Sequence, residues 1–138
     1  MILLDTNIIS EMMKKSPSVR VAGWLDQQEV THLFVTAITI AEISYGISVL
    51  AKGKRRLALE EAFDMVMREC FKHRILSFDE ASAHLYGGLM GHRKKLGRPL
   101  SVLDGQIAAI ALVHKATVAT RNIRDFANCN LELIDPFV

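Results

Sequence analysis

Five short, mostly apolar runs alternate along this chain with segments of helical periodicity. The runs are "ILL" (2–4), "LFV" (33–35), "RILSF" (74–78), "TVAT" (117–120) and "LELI" (131–134). Each is too short for a helix and is bounded by polar or turn-forming residues, so each reads as a strand. Strands separated by helices do not pair as hairpins. They pair in parallel, and a parallel sheet needs helices on both faces. The order therefore predicts an α/β fold with three layers, α/β/α, around a central, mainly parallel five-stranded sheet.

The helical segments are 6–15, 17–28, 36–50, 57–70, 80–95 and 101–115. The first stops before Ser16-Pro17, and Pro17 is tolerated in the first turn of the second. "AKGKRR" (51–56) interrupts the pattern between the third and fourth. Asp79 is placed to cap the fifth. The sixth is almost wholly apolar from Ile107 to Val113, as a helix buried on all sides would be.

Sheets of this kind display functional groups at the carboxyl ends of their strands. Asp5 follows the first strand directly, and Thr120 ends the fourth. Asp5 has two roles open to it, a helix N-cap or a working carboxylate. Glu42 lies among Ile38, Ile40, Ala41 and Ile43, where a charge needs a partner, a metal or water. It completes a T-x-x-E capping box from Thr39, yet Thr36 is an equally good cap and would set Glu42 inside the helix. Asp104 forms a similar box with Ser101, and Gly105 beside it permits close approach of another group. Grouped, the three acids would make an oxygen site for a hard divalent cation such as Mg²⁺ or Mn²⁺.

Other chemistries find less support. The five histidines form no H-x-x-x-H or HExxH pair, and "YGGLMGHRKKLG" lacks P-loop spacing. Cys70 and Cys129 are far apart, which suits a reducing compartment. "MILL" has no basic leader, and "IAAIALV" is too short to span a bilayer. The expectation is a cytoplasmic protein with one domain, residues 1–138. A net charge of +2 neither requires nor excludes a nucleic-acid partner.

An ordered set of motifs is more specific. "MILLDTNIISEMMK", "TAITIAEISYGI", "ILSFDEASAHLYG", "LDGQIAAIALVH" and "VATRNIRDF" together resemble the PIN-domain ribonucleases, in the VapC and FitB-like group of bacterial toxin–antitoxin toxins. The resemblance runs essentially the whole chain. It implies a metal-dependent endoribonuclease using Mg²⁺ or Mn²⁺, with Asp5, Glu42 and Asp104 as catalytic metal ligands. Thr6 and Thr120 match the family's supporting hydroxyls. Many members carry a fourth acid where this chain has Asn122, so a neutral oxygen donor stands there. Asp125, three residues on, is the nearby substitute acid.

The resemblance further implies a homodimer, and a cognate antitoxin that blocks the site and joins the toxin in operon autoregulation, contacting operator DNA itself. Met12, Met13 and Trp24 suit either core packing or a groove for such a partner. Carboxylates repel RNA, so cations should flank the pocket. The candidates are Lys52, Lys54, Arg55 and Arg56, then Arg93, Lys94, Lys95 and Arg98, then Arg121 beside the metal pocket. Solvated helix ends explain the first two clusters equally well. The departure at Asn122 keeps one alternative open, a non-catalytic PIN-like binding protein in a regulatory complex.

Overall fold

The computed structural model describes residues 1–138. Five strands, β1 (Ile2–Leu4), β2 (Leu33–Thr36), β3 (Ile75–Leu76), β4 (Thr117–Ala119) and β5 (Leu133–Ile134), form one sheet in the order β3-β2-β1-β4-β5. All four pairings are parallel, for example Ile2 opposite Leu33 and Leu3 opposite Val118. The chain leaves β1 for one edge of the sheet, then returns to build the other half. The crevice between β1 and β4 is therefore the switch point where such sheets bind ligands.

Seven helices cover the sheet: α1 (Thr6–Met12), α2 (Val19–Asp26), α3 (Ala37–Ser48), α4 (Lys54–Cys70), α5 (Glu80–Lys95), α6 (Val102–His114) and α7 (Ile123–Phe126). Alternation along β1 divides the core. Leu3 packs with Ile107, Ala108 and Ala111 of α6, whereas Leu4 packs with Ile8, Ile9 and Ile43 of α1 and α3. Residues Ile107 to Ala111 are fully buried, which accounts for the apolar run in α6. Met12, Met13 and Trp24 are partly buried against the second of these clusters.

Several boundaries differ from expectation for local reasons. Helix α1 ends at Met12 rather than Lys15, because the Glu11 carboxylate accepts the Ser18 N–H at 2.7 Å and turns the chain. Pro17 lies outside α2, whose cap is the Ser18 hydroxyl. Helix α4 begins at Lys54, so residues 51–53 of the basic run separate the two helices and Lys54, Arg55 and Arg56 open the second. Its cations stand at the positive end of the helix dipole, which does not favour them there. Helix α7, a single turn, had no periodicity to announce it.

Helix α6 is set by a close crossing with α5. A side chain at Gly105 would place its Cβ 2.5 Å from Met90 Sδ and 3.0 Å from the Tyr86 ring. The missing Cβ lets the first turn of α6, which carries Asp104, lie against α5. No helix is long and apolar enough to cross a membrane.

Candidate active site

Asp5 caps α1 and faces the crevice at once. Its Oδ1 accepts the Thr6 N–H at 2.8 Å, and its Oδ2 accepts the Thr120 hydroxyl at 2.8 Å. The two readings of Asp5 thus coexist in one side chain. Thr120 in turn accepts the Asn122 N–H at 2.9 Å, so the strand-end hydroxyl ties Asp5 to the loop after β4.

Thr36 is the cap of α3, accepting the Thr39 N–H at 3.1 Å. Glu42 therefore sits inside the helix, where its side chain can turn toward α1. Thr6 donates its hydroxyl proton to Glu42 Oε1 at 3.0 Å. With that proton committed, Thr39 must donate to Thr6 across 3.1 Å, and Thr36 to Thr39 across 3.4 Å. Three hydroxyls thus form a directional chain ending on the carboxylate. Asp104 occupies the first turn of α6, its N–H bonded to the Ser101 hydroxyl at 3.2 Å.

Asp5, Glu42, Asp104 and Asn122 line one pocket, with Thr6 beside them. The Asn122 side chain makes no hydrogen bond within the protein and does not cap α7. Asp125 lies outside the pocket lining, although its charge reaches Asp104. Burial raises the pKa of Asp5, Glu42 and Asp104. Hydrogen bonds from Thr120 and Thr6 oppose this at Asp5 and Glu42, and Asp104 adds like-charge repulsion to both. No histidine or cysteine lines the pocket, and its donors are oxygens. That set fits a hard divalent cation. The acids do not converge into a closed ligand cluster. They form an open cradle whose members repel one another until a cation offsets the charge.

Burial, and after it this repulsion, has a measurable consequence for Glu42. A carboxylate whose pKa is raised on folding destabilises the native state once it ionises. Between the ordinary glutamate range and the raised value, the native state binds more protons, so stability falls as pH rises. Replacing Glu42 by Gln removes the penalty and keeps an oxygen to accept the Thr6 hydroxyl. In chelator, Glu42→Gln should melt at or slightly above wild type, by up to about 2 °C, since the half-buried group is screened by solvent. The gap should be larger at pH 8 than at pH 5. Differential scanning calorimetry at both values is the check, and a variant less stable than wild type at pH 8 contradicts the electrostatic account.

The basic candidates divide sharply. Arg121 lines the acid pocket. Lys52, Lys54, Arg55 and half-buried Arg56 do not, and Arg56 is engaged with Glu60 at 2.9 Å. Lys94, Lys95 and Arg98 are exposed away from the lining. Arg93 departs from expectation: it is buried, 4% exposed, and its guanidinium donates to the carbonyls of Arg98, Asp125 and Ala127. It is a structural residue and is not available to RNA.

Sequence reading missed five pocket residues, among them Ser10. Asn7 donates to Asp5 Oδ2 at 3.2 Å and accepts the Arg121 N–H at 3.2 Å. Its place two residues after Asp5 was a usable signal. Lys14, Glu11 and Phe137 also line the pocket, and no local pattern marked them.

Residues 2–130 match the PIN domain family. The chain is 38% identical to the toxin FitB of Neisseria gonorrhoeae, over 99% of each chain. It is 36% identical to the VapC ribonuclease Y4jK of Sinorhizobium fredii, over 99% of this chain and 98% of that one. The solved structure of FitAB bound to an IR36 DNA fragment contains a chain that superposes with a TM-score of 0.92 at 38% identity, covering 100% of this chain and 96% of that one. With its parallel sheet, its switch-point acids and similarity along its whole length, the chain belongs to the PIN domain family and is homologous to the VapC- and FitB-type toxins.

Proposed function

We propose that this chain is a Mg²⁺- or Mn²⁺-dependent endoribonuclease, the toxin of a toxin–antitoxin pair. One observation carries the proposal: Asp5, Glu42 and Asp104, from three separate elements, face a single pocket at the switch point of the sheet. The names of the relatives, a toxin and a VapC ribonuclease, point the same way.

In this reading Asp5, Glu42 and Asp104 would hold the cation, with Asn122 as a neutral oxygen donor beside them. Such an ion would supply Lewis-acid stabilisation of phosphate oxygens and a more acidic water. Thr120 and Asn7 fix the Asp5 carboxylate, and the hydroxyl chain ending at Thr6 fixes Glu42. Both carboxylates are thereby oriented before RNA arrives, which lowers the cost of assembling the site. Purified protein should cleave RNA, lose that activity in EDTA, and regain it with Mg²⁺ or Mn²⁺. Failure to cleave RNA under any of these conditions would favour the non-catalytic binding protein, the reading that the neutral Asn122 supports.

The same proposal includes a cognate antitoxin, operator DNA contacted through that antitoxin, a homodimer and a cytoplasmic location. The FitAB complex on DNA supports the antitoxin. An apolar groove along α1 and α2, lined by Met12, Val21 and Leu25, suits a partner segment.

Asn122 lets the metal assignment be tested from the opposite direction. Asn122→Asp adds a fourth carboxylate to the proposed ligand set and should tighten Mn²⁺ binding by about tenfold, since ligand charge sets affinity. Cleavage need not accelerate, because tighter ground-state binding helps only if the transition state gains more. Calorimetric titration is the measurement, and unchanged affinity in an equally folded variant would put residue 122 outside the ligand sphere.

A further inference from the structure

The pocket contains two cations of different standing. Lys14 Nζ lies 2.8 Å from Glu11 Oε2, so its charge is matched. Arg121 has no carboxylate within ion-pair distance. Its guanidinium carbon lies 4.3 Å from the centre of the Phe137 ring. Its backbone N–H is fixed by Asn7 Oδ1 at 3.2 Å. Phe137 is itself held by the chain's last turn, where its N–H meets Asp135 Oδ1 at 2.9 Å. The ring packs at the margin of the core cluster that contains Leu4 and Ile8.

An arginine resting on an aromatic face keeps its charge and leaves its edge donors free. Here those donors have no acceptor within the protein. They stand in the same pocket as Asp5, Glu42 and Asp104, on an exposed residue. An RNA phosphate entering beside those acids needs an unmatched, pre-oriented cation to offset their repulsion. We infer that Arg121 is a phosphate clamp for single-stranded RNA at this pocket, and that Phe137 is the positioning residue that orients it. The inference rests on the ribonuclease reading for its substrate class. Nothing in the sequence pairs these residues, because they meet only where the tail passes the loop after β4.

The test separates the ring's electronic role from its packing role. Leucine at 137 retains apolar bulk but has no π-face, whereas tryptophan keeps one. Binding of a short fluorescein-labelled single-stranded RNA is followed by anisotropy across a range of KCl concentrations. The Asp104→Asn background slows turnover enough for binding to be read. Arg121→Ala should weaken binding about tenfold. It should also flatten the slope of log affinity against log salt by about 0.7, the share of one phosphate on a single strand. Phe137→Leu should weaken binding about 2- to 5-fold, and Phe137→Trp should restore it. Added to Arg121→Ala, Phe137→Leu should cost nothing further. In the cleaving protein, Phe137→Leu should raise KM and leave kcat unchanged.

An unchanged salt slope in Arg121→Ala would overturn the clamp. Equal loss from Phe137→Leu with and without Arg121 would overturn the positioning role, since the ring would then be acting on its own. Protein that binds RNA with the Arg121-dependent slope but never cleaves it would sink the ribonuclease reading and leave the clamp standing. Protein that cleaves RNA with KM indifferent to both variants would do the reverse.

Discussion

Asp104→Asn should lower RNA cleavage by about a hundredfold or more and leave the fold intact, and Asp5→Asn and Glu42→Gln should do the same. On the proposed mechanism, each change removes one ligand charge of three. Metal affinity, activation of water and stabilisation of the phosphate then fall together. At Glu42 and Asp104 stability should not fall with them, because burial already penalises these carboxylates in the native state. Asp104 is the cleanest case. Its N–H remains bonded to Ser101, so the start of α6 keeps its cap in the variant. Asp5→Asn is more disruptive, because Thr120 and Asn7 both direct donors at the Oδ2 that an amide would replace. Initial rates at saturating Mn²⁺, beside thermal melts of the same samples, decide the matter. Wild-type rates in all three folded variants would remove the acids from the mechanism.

Arg93→Ala should destabilise the protein by about 3 kcal/mol, lowering the melting temperature by roughly 10 °C. The guanidinium is buried without a carboxylate, and its charge is shared among backbone carbonyls and the Cys129 sulfur, 3.2 Å away. Truncation leaves the carbonyls of Arg98, Asp125 and Ala127 facing a cavity. These acceptors belong to the segments after α5 and around α7, so the damage should centre there. Hydrogen exchange should accelerate through residues 122–129 before the rest of the sheet opens. Arg93→Lys should recover only part of the loss, since one ammonium cannot replace a planar fork serving separate carbonyls. Alanine at Lys94 or Lys95 should cost almost nothing. Chemical denaturation of the three alanine variants is the comparison. A loss below about 1 kcal/mol for Arg93→Ala would return Arg93 to the surface cations.

The contrast between Arg93 and Lys94 shows where one-dimensional reading stops. Both stand in "HRKK", and nothing in that run separates them. Their fates differ because Arg93 occupies the phase of α5 that faces the chain returning around residues 125–129, a segment more than 30 positions away. Asp5 was legible for the opposite reason. A strand end lies next to the strand in sequence, and its placement follows from the sheet itself. The choice between Thr36 and Thr39 as the cap of α3 was local and still undecided, since either hydroxyl serves. Packing chose Thr36, which left Thr39 free to link Thr36 to Thr6.

The alternation of short apolar runs with helical segments determined, by itself, a parallel sheet covered on both faces and the strand end where Asp5 stands. Hydrophobic periodicity is a local property, and burial of one face follows from it without knowledge of any partner. The spread of the three carboxylates over the turn after β1, α3 and α6, and their motif order, were likewise present in the chain alone. Only the tertiary structure decided what surrounds them: the hydroxyl chain onto Glu42, the Asn7 bridge, the burial of Arg93, and the seating of Arg121 on Phe137. Each depends on segments remote in sequence arriving within about 3–4 Å of one another. At that range the energy is set by geometry that no single stretch of chain encodes.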